Sequence, residues 1–419
     1  MSRLPLPAHF DHPGRPLSAA FSDIDGDDRR LTLLARFRAA MPIAERVAYF
    51  DHAAVAPLPA PTRDSLRSWL NLAADEGDIA WGQWSRRIEA VRHTAAQLIH
   101  AEPAEIALVP NTTSGIGLVA EGLPWQSGDN VVTLENEFPS NQYPWMNLAA
   151  RGVEVRRVTA PGGAVDLDRI ESACDQRTRI VTLSWVGYAT GWRIDPTEVA
   201  NLCRRRGCLF FLDAIQGLGV FPLDMRTSGI DFLAADGHKW LLGPEGAGIL
   251  FIRREHLVRL RPIMVGWNSV VQGNDYSRVE LNLRDTAARY EGGSQNMIGF
   301  HGLGASLDLL TSLGAGPKTS PIAEQVLTLT DFAARELAAL GATLLAPRSG
   351  EHRSGILTFS IAGRDPQVIR RRLETAGIVV RCRGGGVRLS PHGYNTREEI
   401  ERLIAELRRI LSDEPNATA

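Results

Sequence analysis

Short apolar runs recur through the middle of the chain, each closing on a polar or glycine-bearing turn before a stretch with helical spacing. The run at 106–109 precedes a helix starting near Thr113, 130–134 precedes one near Ser140, and 153–158 precedes one near Asp168. Runs at 180–185, 209–212 and 232–235 continue the series, with a helix over 196–206 between the first two and a further strand at 249–252. Such alternation predicts a mainly parallel sheet covered by helices on both faces, with ligands gathering beyond the carboxyl ends of the strands.

Before this core, residues 1–28 are rich in Pro, Asp, His and Gly and read as an irregular arm, followed by a helix over 29–41 that Pro42 stops. A short strand from Val47 runs into the small-residue segment Ala53-Ala54-Val55, and residues 61–100 carry helical spacing with Trp69, Trp81 and Trp84 as core positions. Beyond the alternation come a glycine-rich turn at 291–296, a helix through about Leu313 and a linker at 314–321. The last third predicts helices over 322–340 and 396–411 and strands near 356–361, 378–381 and 387–390, a smaller α+β unit. The domain expectation is therefore an arm over 1–46, a large α/β domain over 47–313 and a small C-terminal domain over 314–419.

Composition narrows the partners. With 44% hydrophobic and 22% charged residues the chain is an ordinary globular sequence, and a formal net charge of −2 gives no broad attraction to nucleic acid or anionic membrane. No apolar run is long enough to span a bilayer, and Met1-Ser2-Arg3-Leu4-Pro5 lacks a signal-peptide core. The four cysteines, Cys174, Cys203, Cys208 and Cys382, form no paired metal or redox spacing, so no metal is expected and the expected location is cytoplasmic.

Positive charge rests almost wholly on arginine; Lys239 and Lys318 are the only lysines. A partly buried lysine amine can lose its proton and add to a carbonyl, which arginine cannot. Lys239 lies just past a strand end, in Asp236-Gly237-His238-Lys239, and Asp213 closes the preceding strand 239 − 213 = 26 residues earlier. Pyridoxal phosphate requires this pair: a lysine for its aldehyde and a carboxylate for its ring nitrogen.

Other positions gain meaning beside that pair. The turn Asn111-Thr112-Thr113-Ser114 joins a strand end to a helix start, where N–H groups and hydroxyls favour a phosphate, although such residues also cap helices without any ligand. Phe138 could stack on a flat ring or simply serve the core, and Gln216 could donate to a ring oxygen or to solvent. Arg381 and Arg388 could grip a carboxylate or lie on the surface.

Taken together, Asp213-Ala214-Ile215-Gln216, Gly237-His238-Lys239 with Gly243-Pro244-Glu245-Gly246, Glu291-Gly292-Gly293-Ser294 and Val387-Arg388-Leu389-Ser390-Pro391-His392 resemble the class V aminotransferase family of fold type I pyridoxal-phosphate enzymes, over about residues 47–411. That family includes cysteine desulfurases, selenocysteine lyases and isopenicillin N epimerase-like proteins. The resemblance implies that Lys239 forms the Schiff base and shuttles the substrate's α-proton. It further implies that Asp213 pairs with the ring nitrogen, Gln216 with the phenolic oxygen, Phe138 stacks on the ring, and Thr112, Thr113 and His238 hold the phosphate. Ser294 would reach that phosphate from the second subunit of a homodimer, Arg388 would bind the substrate carboxylate with Arg381 as the weaker candidate, and Ala54 would border the substrate.

Three positions depart from desulfurases: Asp236 where a serine is usual, Trp185 where an asparagine is usual, and Cys382 directly after the strand arginine instead of along a longer loop. A thiolate nucleophile needs such a loop, so the expectation is an aminotransferase-type enzyme acting on an amino acid or amine. The alternatives are a carbon–sulfur or carbon–selenium lyase, an amino-acid epimerase, and a catalytically silent cofactor-binding protein.

Overall fold

The structure, a computed structural model, describes residues 26–412. The arm expected over 1–28 therefore lies, apart from its last residues, outside the described residues, and residues 26–28 already belong to the helix Gly26–Ala39. Strand β1 (Ala48–Tyr49) follows. The helical stretch over 61–100 is two helices, Ala60–Glu76 and Trp81–Ile99, because Gly77 takes a φ of 54°, a left-handed conformation that only glycine adopts without strain.

The central sheet contains β2 (Ile106–Val109), β3 (Asn130–Leu134), β4 (Glu154–Val158), β5 (Thr178–Ser184), β6 (Leu209–Asp213), β7 (Phe232–Asp236) and β8 (Gly248–Ile252). Their order is β2-β8-β7-β6-β5-β3-β4, with β8 antiparallel to both neighbours and the other described pairings parallel. β2, β3, β7 and β8 are buried along their whole length, as a sheet covered on both faces requires. This is the α/β architecture expected from the alternation. The helix expected near Ser140 is reduced to a turn at Pro139–Asn141 and the four residues Tyr143–Met146, since Pro139 and Pro144 each withdraw a backbone donor.

The helix Met297–Ser312 packs on the two helices that precede the sheet, and Gly314–Ser320 leads to the helix Pro321–Ala339. A second sheet orders β12-β13-β10-β9, from β9 (Thr343–Leu344), β10 (Leu357–Ser360), β12 (Arg381–Arg383) and β13 (Gly386–Leu389), while β11 (Ile378–Val379) pairs in parallel with β1. Ala48 and Phe50 consequently sit in the same core as Leu357, Phe359, Leu389 and Leu403. The chain beside β1 is thus carried to the C-terminal sheet, and Asp51 bridges to Ser390. No helix among the described residues is long and apolar enough to cross a membrane.

Candidate active site

The carboxyl ends of β6 and β7 open into a cavity of about 430 Å³ whose walls include Asp213, Gln216, Asp236, His238 and Lys239. Asp213 closes β6 with its carbonyl accepting from Trp185 N–H at 2.9 Å, which fixes the side chain's origin. Its carboxylate is buried and accepts from Ile215 N–H at 3.1 Å. Burial pushes that carboxyl up to about 6, opposed by the Ile215 N–H and the charge of Lys239. Lys239 follows in the turn after β7, 7% exposed, and burial brings its amine down to about 8 against the upward pull of Asp213. A buried carboxylate with this little compensation favours a cationic hydrogen-bond donor in front of it.

At the other end of the cavity Asn111 caps the helix Thr112–Gly122 by accepting from Ser114 N–H, so the capping role is real and leaves Thr112 and Thr113 at the cavity wall. Thr112 Oγ1 accepts from Asp236 N–H at 3.0 Å, and Thr113 Oγ1 donates to Ser140 Oγ at 2.8 Å. His238 Nδ1 stands 3.0 Å from Asp236 Oδ2, so the carboxylate of Asp236 faces the imidazole, with its other oxygen buried and unpartnered among the described residues. The ring of Phe138 lies 5.4 Å from Lys239 Nζ and edge-on to Tyr188. Gln216 is held at both ends of its amide, accepting from Trp240 Nε1 at 2.9 Å and donating to Ala53 O at 3.0 Å.

The opposite wall comes from the second sheet and the segment after β1. Arg388 is 1% exposed; its guanidinium donates to Tyr188 O at 2.8 Å and to Asp51 Oδ1 at 3.1 Å. Arg381 donates from Nε to Asp51 Oδ2 at 3.0 Å. One fully buried carboxylate therefore holds both arginines, and Ala53, Ala54 and Val55 line the cavity beside them.

The structure brings Lys239, Asp213, Thr112, Thr113, Phe138, Gln216, His238, Arg381, Arg388 and Ala54 to this one cavity. It does not bring Ser294 there: within the single chain that residue lines a separate cavity with Leu118, Met264 and Tyr290. Trp185 is also outside, packed beneath the turn at Gly217 and against Phe221. Sequence reading missed Asp51, Tyr188, Arg383 and Glu137. The last is buried, accepts from the backbone and hydroxyl of Ser184, and is pushed up to about 7 by burial, with the charge of Asp213 adding to it.

These donors suit pyridoxal phosphate. Lys239 and Asp213 stand on adjacent strand ends, the threonine hydroxyls and helix N-terminus lie where a phosphate would be held, and the buried carboxylate of Asp213 calls for the proton of a ring nitrogen.

Comparison with known proteins agrees with this architecture. The chain is 34% identical over 392 residues to a probable cysteine desulfurase of Methanothermobacter thermautotrophicus, covering 88% of this chain and 96% of that one. It is 31% identical over 333 residues to an uncharacterized aminotransferase, YcbU, of Bacillus subtilis, covering 78% and 85%. Among solved structures, the apo cysteine desulfurase of Thermococcus onnurineus NA1 superposes with a TM-score of 0.80 at 26% identity over 90% of this chain and 97% of that one. A mutant of C-DES, with glycine covalently linked to its pyridoxal-phosphate cofactor, shares the fold with a TM-score of 0.82 at 24% identity, covering 88% and 98%. The family model for class V aminotransferases matches residues 48–403, and the chain belongs to that family.

Proposed function

We propose that the protein is a pyridoxal-phosphate-dependent carbon–sulfur lyase acting on cysteine or a cysteine derivative. Relatives named cysteine desulfurase favour carbon–sulfur chemistry over the aminotransferase expectation, although YcbU carries the aminotransferase name. Bound pyridoxal phosphate supplies an electron-accepting ring that stabilises negative charge at the substrate Cα. Asp213 would keep the ring nitrogen protonated, Thr112, Thr113 and His238 would hold the phosphate, and Phe138 and Gln216 would contact the ring and its oxygen. Arg388, pre-set by Asp51 and Tyr188, takes the α-carboxylate. The amine of Lys239 removes the Cα proton, the Cβ–S bond breaks with its electron pair on sulfur, and the sulfur then takes up a proton. The three-carbon remainder hydrolyses to pyruvate and ammonium. A homodimer would let Ser294 join the partner's phosphate site.

The observation that carries the reading concerns where the sulfur goes. Cys382 sits between two arginines that line the cavity, and strand alternation turns it to the opposite face. There its thiol donates to Pro366 O at 3.3 Å and packs against the C-terminal core, with burial raising its pKa. Cys174, Cys203 and Cys208 are buried away from the cavity. No cysteine of the chain lines the cavity, so on the proposed reading the sulfur leaves on a small molecule. Incubating the holoenzyme with cysteine and with cystine is expected to yield pyruvate and ammonium alongside sulfide or a persulfide, with Cys382→Ala retaining most of the turnover. Alanine formed together with a persulfide on Cys382 would overturn the reading.

Arg388→Ala should weaken amino-acid binding by roughly 1.5–3 kcal/mol, the worth of a hydrogen bond to a charged group. It should also lower the thermal midpoint, since the buried carboxylate of Asp51 is left with Arg381 alone. Substrate titration and thermal melts check both, and unaltered affinity would place the clamp elsewhere.

A further inference from the structure

The wall opposite the lysine carries more positive charge than one amino-acid carboxylate balances. In β12, Arg381 and Arg383 point to the cavity on either side of Cys382. Pairing with β13 sets Arg381 directly across from Arg388 and Arg383 across from Gly386. Two like charges facing each other across a ladder repel, and here Asp51 relieves them by offering one carboxylate oxygen to each. Arg383 has no such relief: it faces a residue without a side chain, makes no ion pair among the described residues, and bonds only the neighbouring Cys382 carbonyl at 3.0 Å. Gly384 and Gly385, with φ of 57° and 80°, close the hairpin tightly and hold Arg383 at the rim. Its charge is felt at both Arg388 and the Lys239 amine.

Three guanidinium groups thus share this wall with one protein carboxylate, Asp51, which contacts two of them. A substrate α-carboxylate on Arg388 would balance a second, leaving one positive charge at the cavity rim, that of the exposed Arg383. We propose that Arg383, with the free edge of Arg381, is a second anion-recognition site that selects sulfur amino acids bearing an acidic group on the far side of the sulfur. This inference rests on the proposed lyase reading for the orientation of the substrate, with its α-carboxylate on Arg388. Arg383 is an exposed residue outside the reaction centre, so its charge acts through binding and weakens as salt screens it.

The test is a spectral titration of the holoenzyme with S-carboxymethylcysteine and S-methylcysteine, which differ by one carboxylate, followed by assay of released thiol. The expected result is about tenfold tighter binding of S-carboxymethylcysteine, the order of one charge-assisted contact at a solvated rim. Arg383→Gln should abolish that preference by weakening the acidic ligand alone, Arg383→Lys should keep most of it, and added salt should shrink it. Equal binding of the two ligands by the unaltered enzyme, or an equal loss for both in Arg383→Gln, would overturn the assignment. Thiol release from both ligands without preference would sink the anion site and leave the lyase reading standing. A preserved preference without thiol release would do the reverse.

Discussion

Replacing Lys239 with alanine is expected to abolish the visible absorbance of the lysine-bound cofactor and to cut turnover by about 10²–10⁴-fold, the share that positioned proton transfer contributes. Burial brings the amine down to about 8, so a useful fraction is neutral near physiological pH and able to add to an aldehyde or accept a proton. No second lysine lines the cavity, and the arginines there stay charged and cannot substitute. In cofactor-free protein, the rate of cofactor capture should rise as pH increases through about 8, because only the deprotonated amine is nucleophilic. Absorbance spectra of the variant and a pH series on the apoprotein check these results. An intact chromophore in Lys239→Ala would refute the assignment.

The second large effect concerns Asp213→Asn, a change of charge at nearly constant shape. Turnover should fall by about 10²–10³-fold, as for other removed electrostatic partners, with a smaller change in substrate binding. Stability should move the opposite way in the cofactor-free protein. The folded-state carboxyl sits at about 6, above its ordinary value of 3.8, so its stabilising contribution is complete below 3.8 and is lost as pH rises through 6. At pH 8 the wild type therefore buries an ionised carboxylate at a cost that asparagine avoids. A variant that melts higher without cofactor yet turns over poorly is the expected signature; full activity would remove Asp213 from its role.

Much of this site was legible because its two central groups are local statements. Lys239 stands out through the scarcity of lysine, and Asp213 through the polar end of an apolar strand. The same holds for the central strands, whose observed bounds coincide with the expected ones at 106–109 and 130–134 and differ by at most two residues at either end elsewhere. What sequence reading missed depends on distance or on facing. Asp51 acquires its meaning only through Arg388 and Arg381, 337 and 330 positions away, and Tyr188 contributes a carbonyl that any residue could offer. Reading the strand as ending at Arg381 left Cys382 in a loop; in β12 it has a definite face, and Arg383 inherits the other. Continuing the helix across 61–100 ignored Gly77, a signal that the sequence does print.

The contact between Asp51 and the two arginines also imposes an order of assembly. A chain made from its N-terminus completes the strands that present Asp213 and Lys239 well over a hundred residues before Arg381 and Arg388 emerge. Asp51, synthesised early, must wait for both. The residues of the half of the cavity that suits the cofactor are thus all synthesised first, while the half that would grip an amino acid needs the C-terminal sheet to meet the segment after β1. The growing chain has its lysine and carboxylate on hand before it has the means to retain a substrate.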